Sequence, residues 1–343
     1  MTIKEFQELQ AMPYPQKLIH ARNRAEVFYS KCMALGYKCH VSVGGLDSIT
    51  LLLFLRSIGI DVPAISVSIL EGKGNQEVHK QLGVRSIAPY MSKTQVLQKF
   101  GFPVISKEKA KKISYLLQPD ANKQTFIHTI MTGDREAGGS FSHSDKAKLP
   151  DKWIKLFGGN YASMRPDLEI RETPGFKVSS KCCYYMKEKP CADWAKEHHS
   201  VPYLGLMASE GGQRVMGLVK NGCNYFGKNT IRSCPFAIFT RQDLLQLAID
   251  LKVPVPREYG EIVRDPDGTL HTTRARRTGC SMCGFGVHMG KRPHQFDRLR
   301  KDNPAEWEYW MYNCCMDEDG NKYGWGRVLD WIGVAWENEC EEV

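Results

Sequence analysis

The stretch CHVSVGGLDSITLLLF, residues 39–54, decides how the rest of the chain is read. Its first part, about Lys38 to Val43, predicts a short strand. The run from about Asp47 to Ile58 predicts a helix. Gly44 and Gly45 stand between them. Glycine lets a backbone approach a ligand closely. A helix start offers N–H groups with no partner inside the helix, and a partial positive charge. Together these describe a cradle for a phosphate. Ser42 and Ser48 add hydroxyl groups. Asp47 is the odd member: a carboxylate there suits a nearby metal ion, a ribose hydroxyl or a helix cap. An ordinary strand–helix turn is the alternative.

Working outward, VPAISVS (Val62–Ser68) predicts a second strand at βαβ spacing. SKTQVLQKFG has Ser92 and Gln95 in capping-box spacing and ends at Gly101. Further helices are predicted over Glu108–Leu117, on both sides of Pro190, and from about Thr240, with Asp243 at the third helical position. A strand is predicted over Val201–Ser209. Residues 1–35 read as helical, with Phe6, Leu9, Leu18, Ala21, Ala25 and Phe28 on one face. Strands alternating with helices predict an α/β fold, a doubly wound and mainly parallel sheet. Residues 118–180 are rich in glycine, serine and charge, with weak periodicity, and read as an insertion or lid. The expected organisation is an N-terminal helical segment (1–35), a nucleotide-binding domain (36–250) containing that insertion, and a cysteine-rich C-terminal region (251–343).

The chain has 343 residues, 42% of them hydrophobic, enough for one large core or two modest ones. No apolar run reaches the roughly 18 residues that span a bilayer. The first residues lack the apolar core of a secretory signal, so a cytoplasmic location is expected. The formal net charge of +9 favours anionic partners, nucleotides or nucleic acid. The densest basic run is TTRARRTG, with Arg274, Arg276 and Arg277.

Twelve cysteines are many for a reducing compartment, where clusters of them mean metal or redox chemistry more often than disulfides. Cys32, Cys39 and Cys223 read as small buried apolar residues. Two pairs stand out: the adjacent Cys182 and Cys183, and Cys280 with Cys283 in a C-x-x-C. C-x-x-C lets two thiolates converge on one metal or cluster. Gly279 and Gly284 would allow the tight turn this needs. Adjacent cysteines suit a polynuclear cluster better than one zinc, although zinc stays open, and Cys191 or Cys234 could replace a member of the pair. Cys314 and Cys315 read as buried. His288, Lys291, Arg292 and His294 form either an anion site or a solvated face. Trp307, Tyr309, Trp310 and Trp325 offer either base-stacking surfaces or core packing.

SVGGLDS resembles the pyrophosphatase loop S-G-G-x-D-S of the adenine-nucleotide α-hydrolase-like superfamily, with Gly44, Gly45, Asp47 and Ser48 matching. Val43 stands where the family carries serine, with Ser42 one position earlier, and Leu46 where many members carry lysine. FGFPVISKEKAKKI (Phe100–Ile113) resembles a segment of the phosphoadenosine phosphosulfate (PAPS) reductase family and implies that Lys107 lies near the nucleotide. YLGLMASEGGQR (Tyr203–Arg214) resembles that family's strand and turn. The match implies that Arg214 faces a phosphate or sulfate, with Gly205, Glu210 and Gly211 shaping the turn. FAIFTRQDLLQLA resembles the helix that closes the family's core. Cys-Cys followed far downstream by C-x-x-C resembles the [4Fe–4S] signature of adenosine phosphosulfate reductases, and implies Cys182, Cys183, Cys280 and Cys283 as ligands. The resemblance covers roughly residues 38–335 with a gap at the insertion.

Three functions follow as expectations. In the first, ATP with Mg²⁺ is attacked at its α-phosphate, pyrophosphate leaves, and sulfur from a donor replaces the activated oxygen on a nucleic acid or small acceptor. Lys107, Arg214, the loop amides and Mg²⁺ would stabilise charge, with Asp47 as a further catalytic candidate; an iron of the cluster could carry sulfide if it lacked a protein ligand. In the second, a thiolate attacks a sulfonucleotide and a thioredoxin-like partner releases sulfite. The tail ENECEEV matches the reductase ending E-C-G-x-H only at Glu339 and Cys340. In the third, the chain is a non-catalytic nucleotide- or nucleic-acid-binding module with a structural metal site.

Overall fold

The computed structural model describes residues 2–118, 120–135, 146–211, 213–280 and 283–338, without the side chains of residues 121, 213 and 214. Its contacts divide the chain into two units, each made of two segments. Unit 1 comprises Met1–Pro89 and Glu188–Cys280; unit 2 comprises Tyr90–Lys187 and Ser281–Val343.

In chain order the first strands are β1 (Lys38–Ser42), β2 (Ala64–Ser66), β3 (Arg85–Ser86), β4 (Val104–Ile105), β5 (Ser200–Leu204), β6 (Asn224–Gly227) and β7 (Thr230–Ser233). All of these except β4 form one sheet in unit 1, in the order β3-β2-β1-β5-β7-β6. Neighbours run parallel, apart from β6, which returns antiparallel to β7. The chain is thus mixed α/β with a mainly parallel six-stranded sheet. The β6–β7 hairpin is not among the strands the sequence predicts.

β1 is central. Its full length pairs with β5, from Lys38↔Ser200 to Ser42↔Leu204, and its C-terminal half pairs with β2. Cys39, His40 and Val41 are buried, as a strand covered on both faces requires. From β1 the chain first works outward through β2 and β3, then returns on the other side with β5. The sheet therefore has its topological switch point between the carboxyl ends of β1 and β5, where open α/β sheets bind ligands.

The helix Leu46–Ser57 follows β1 and buries Leu46, Ile49, Leu51, Leu52, Phe54 and Leu55. A helix apolar on so many sides belongs in a core. β2 is shorter than the apolar run implied: Pro63 has no N–H for a ladder, and a 3₁₀ turn takes over at Ser68–Leu70. Residues 2–35 form two helices, Ile3–Gln10 and Tyr14–Ala34, the second with Pro13 at its cap and Pro15 in its first turn. Phe6, Ala21, Ala25 and Phe28 are buried in the unit 1 core. The predicted capping boxes are present at Ser92/Gln95 and Thr240/Asp243. Unit 1 also holds the antiparallel pair β8 (Ile262–Arg264) and β9 (Leu270–Thr272).

In unit 2, β4 pairs in parallel with β10 (Gly284–Phe285). The helix Lys107–Leu117 follows β4, with Ser106 as its cap. The described part of 118–180 is more regular than its composition implied. It carries helices Gln124–Thr132 and Asp151–Phe157, which bury Ile127, Ile130, Met131, Trp153, Ile154 and Phe157. Helices of nine and seven residues span too few turns to print a clear period. Trp325 is fully buried between Phe102 and Phe296, and Trp307 and Trp310 are also buried. These tryptophans are packing residues, whereas Tyr309 is 39% exposed. Among the described residues no helix is long and apolar enough to cross a membrane.

Candidate phosphate-binding site

The loop between β1 and the helix Leu46–Ser57 lies at the switch point of the sheet. Val43 and Leu46, on either side of the glycine pair, are both buried in the core. The Val43 amide still donates to Ile65, so the sheet ladder runs one residue beyond β1. Ser42 ends β1, in register with Ile65 of β2 and Leu204 of β5.

Each group of the loop has a distinct environment. The Ser48 hydroxyl accepts from the Gly44 N–H at 2.7 Å and donates to the Gly45 carbonyl at 2.9 Å. It holds the turn, rather than standing open as a phosphate donor. The Leu46 N–H donates to the Tyr259 hydroxyl at 3.1 Å. The N–H groups of Gly45 and Asp47 meet no acceptor among the described residues. The first turn therefore keeps two donors of the kind that bind phosphate at helix starts.

Gly45 is required by close approach. A Cβ there would stand 2.2 Å from the Tyr259 hydroxyl and 3.1 Å from Thr278 Oγ1. At Gly44 the nearest atoms would be 3.8 Å away (Glu71 Oε1) and 3.9 Å away (Ser48 Oγ). Gly205, after β5, is packed on the loop: its Cβ would lie 3.0 Å from the Asp47 backbone. The lack of a side chain at Gly205 lets the end of β5 touch the helix start.

Asp47 is not an open carboxylate. Its Oδ1 accepts from Arg241 Nη1 at 2.6 Å, and Arg241 Nη2 donates to the Arg276 carbonyl at 3.1 Å. Arg241 is the first residue of the helix Arg241–Asp250 and thereby ties that helix to the loop. Glu71, buried beside Gly44, is a second carboxylate of the site. Tyr259 bonds Thr278 at 3.0 Å, and burial pushes its phenol well above the ordinary value. It therefore stays protonated at neutral pH and acts as a hydrogen-bonding group. His79 donates through Nε2 to the Gly44 carbonyl at 2.7 Å.

Sequence reasoning missed Arg241, Tyr259, Thr278, Glu71 and His79. No short motif marks them, and each reaches the loop from a separate element. Of the residues expected here, Lys107 is exposed at the start of a helix in unit 2. Arg214 lies on the helix Gln213–Asn221, and its side chain is outside the described residues. The Glu210 side chain is 8% exposed and pairs with Arg277 at 3.2 Å, so one member of the basic run is bound within unit 1.

Cys182 and Cys183 sit on a helical turn in unit 2, with their sulfurs 4.0 Å apart, and a π-helical turn follows at Tyr184–Glu188. Cys280 ends unit 1 and Cys283 lies in unit 2. Ser281 and Met282, the interior of the C-x-x-C, are outside the described residues, as are Glu339 and Cys340. Gly284 serves packing and not a turn: it lies in β10, and a Cβ would stand 2.4 Å from the Trp325 ring. No group of three or more His, Cys, Asp and Glu among the described residues is arranged to hold a metal ion. The thiol donors at Cys182 and Cys183 fit a soft metal centre. Zinc–sulfur bonds of about 2.3 Å give tetrahedral edges of about 3.8 Å, close to the observed separation. Cys32, Cys39 and Cys223 are buried, and burial pushes their thiols up. Cys314 and Cys315 are buried as expected. Arg292 is paired with Asp297 at 2.6 Å, and His294 is buried with Nε2 donating to the Ala335 carbonyl at 3.1 Å. Both are built into unit 2.

A scan of protein-family models and a search of curated proteins each found no match to this chain.

Proposed function

We propose that the chain binds an adenine nucleotide by its phosphates at the loop 43–48 and uses it for sulfur chemistry, as an enzyme of the PAPS reductase family within the pyrophosphatase-loop superfamily. The observation that carries the reading is the position of the glycine pair. It lies at the switch point of a mainly parallel sheet, with the Gly45 and Asp47 amides still able to donate. In the reaction, an acceptor oxygen attacks the α-phosphate of ATP and pyrophosphate leaves. A sulfur nucleophile then displaces AMP from the adenylylated nucleic acid or small acceptor. The chain's own part is charge stabilisation by preorganised amides, with Lys107 and Arg214 as the expected cations. Glu71 is the carboxylate that would meet the Mg²⁺ accompanying the nucleotide.

Cys182, Cys183, Cys280 and Cys283 would hold a [4Fe–4S] cluster, which when bound supplies sulfide or electron chemistry. The 4.0 Å sulfur separation favours a second reading of the metal, one structural zinc. Metal and acid-labile sulfide analysis of anaerobically purified protein decides between them. About four irons and four sulfides per chain, lost in Cys280→Ala, are expected. One zinc without sulfide overturns the cluster. For the reaction, the expected result is α–β cleavage of ATP to AMP and pyrophosphate in the presence of nucleic acid and a sulfur donor. Sulfite released from adenosine phosphosulfate with a thioredoxin-like reductant would overturn that reaction in favour of reduction. Absence of both reactions would favour a binding module.

A further inference from the structure

We infer that His79 is a positioning residue for phosphate binding: it holds the Gly44–Gly45 peptide so that the Gly45 N–H is presented to the anion. The inference rests on the reading of the loop as a phosphate site.

His79 is on the helix Lys73–Gln81 and is 1% exposed. Its Nε2 lies 2.7 Å from the Gly44 carbonyl oxygen. A carbonyl can only accept, so Nε2 carries a proton and donates it. The other ring nitrogen, Nδ1, lies 2.9 Å from the hydroxyl of Ser68. With both nitrogens engaged, the ring cannot turn without breaking a buried hydrogen bond. Second partners of this kind fix imidazole orientation at metal sites, and the same geometry fixes it here.

The consequence lies on the far side of the peptide. In a planar trans peptide the C=O of one residue and the N–H of the next point in opposite directions. Pinning the Gly44 carbonyl on His79 therefore turns the Gly45 N–H away from His79. That N–H meets no acceptor among the described residues. Flanked by two glycines, the peptide has little intrinsic preference for this orientation. In this loop Ser48 holds the peptide N–H before it and Tyr259 the one after it. His79 supplies the corresponding restraint on the peptide between them.

Full-length wild type, His79→Leu, His79→Gln and Ser68→Ala would be titrated with inorganic pyrophosphate by calorimetry. The Gly45 amide would be followed by NMR on glycine-labelled protein. Wild type should bind and shift the Gly45 amide. His79→Leu, with unchanged circular dichroism, should bind about 10- to 100-fold more weakly, the usual effect of losing one donor to a charged group. It should also leave the Gly45 amide unshifted. His79→Gln places an amide nitrogen near the Nε2 position and should restore both readouts to within about threefold. Unchanged affinity in folded His79→Leu, or a loss that Gln does not rescue, overturns the inference and leaves the phosphate site standing. If His79→Leu fails to fold, Ser68→Ala decides: a loss of about threefold or more supports the role, and none overturns it. Failure of the wild type to bind pyrophosphate removes the phosphate-site reading itself, and this inference with it.

Discussion

Gly45 and Tyr259 constrain each other at the scale of single residues. The hydroxyl that accepts from Leu46 occupies the space a Gly45 side chain would need. Gly45→Ala should therefore lower stability by about 1–3 kcal/mol, as overpacking does, and weaken pyrophosphate binding. Gly44→Ala meets only contacts of 3.8 Å and beyond and should fold with nearly wild-type stability. Urea midpoints of the two variants check the contrast; equal losses would remove the steric account. The two glycines look alike in the sequence, which marks both as permissive and neither as indispensable. Asp47 shows the same limit. The sequence offered a metal, a ribose hydroxyl or a cap, and the structure supplies Arg241 instead. Asp47→Ala should destabilise by about 1–3 kcal/mol, because Arg241 loses a charged partner in a partly buried place. A double-mutant cycle with Arg241→Ala should recover part of that loss.

At the scale of elements, the helix Arg241–Asp250 is fastened at its start. Asp243 Oδ2 accepts from the Thr240 N–H and hydroxyl at 2.7 Å each, and from Lys17 at 2.7 Å. Lys17 is 3% exposed. The capping box itself was legible, because its residues are three apart and act within one turn. The buried lysine was not, because it comes from the helix Tyr14–Ala34. This difference has a measurable consequence. Thr240→Ala should cost about 1 kcal/mol, an ordinary cap loss. Asp243→Ala should cost about 3–5 kcal/mol, because it leaves a buried ammonium unpaired. Denaturant unfolding of both variants checks this, and a similar small loss in each would show that Lys17 finds water. In unit 2, Gly284→Ala should lower stability by about 1–3 kcal/mol through the Trp325 ring.

Over the molecule as a whole, pH should act on stability through β1. His40 is 1% exposed, bonded through Nδ1 to Ser200 at 2.8 Å and set edge-on to Trp194. Burial, with a smaller contribution from the charge of His198, lowers its pKa from 6.5 to about 4. The unfolded chain therefore takes up the proton first as pH falls. This contribution is complete above pH 6.5 and is lost between about 6.5 and 4, by about 3 kcal/mol. His40→Gln should flatten that part of the pH–stability curve relative to wild type, as read from urea unfolding. An unchanged slope would mean that water reaches the ring. His40 reports on the whole of unit 1 because it lies on the strand that joins the two sides of the sheet.

Spacing along the chain settles what depends on near neighbours. The strand–glycine–helix junction, the capping boxes, the helical N-terminal segment and the buried cysteines all follow from spacing within a few turns or one strand. What surrounds the loop is settled by packing between distant segments. His79 lies 35 residues from Gly44, Arg241 lies 194 from Asp47, and Tyr259 lies 213 from Leu46. They reach the site because β1 pairs with β2 on one side and β5 on the other, and because the flanking helices bury their apolar faces on the sheet those strands form. Local propensity acts over neighbouring residues. The partners of a buried donor are chosen by packing, which brings together residues that no spacing in the sequence connects.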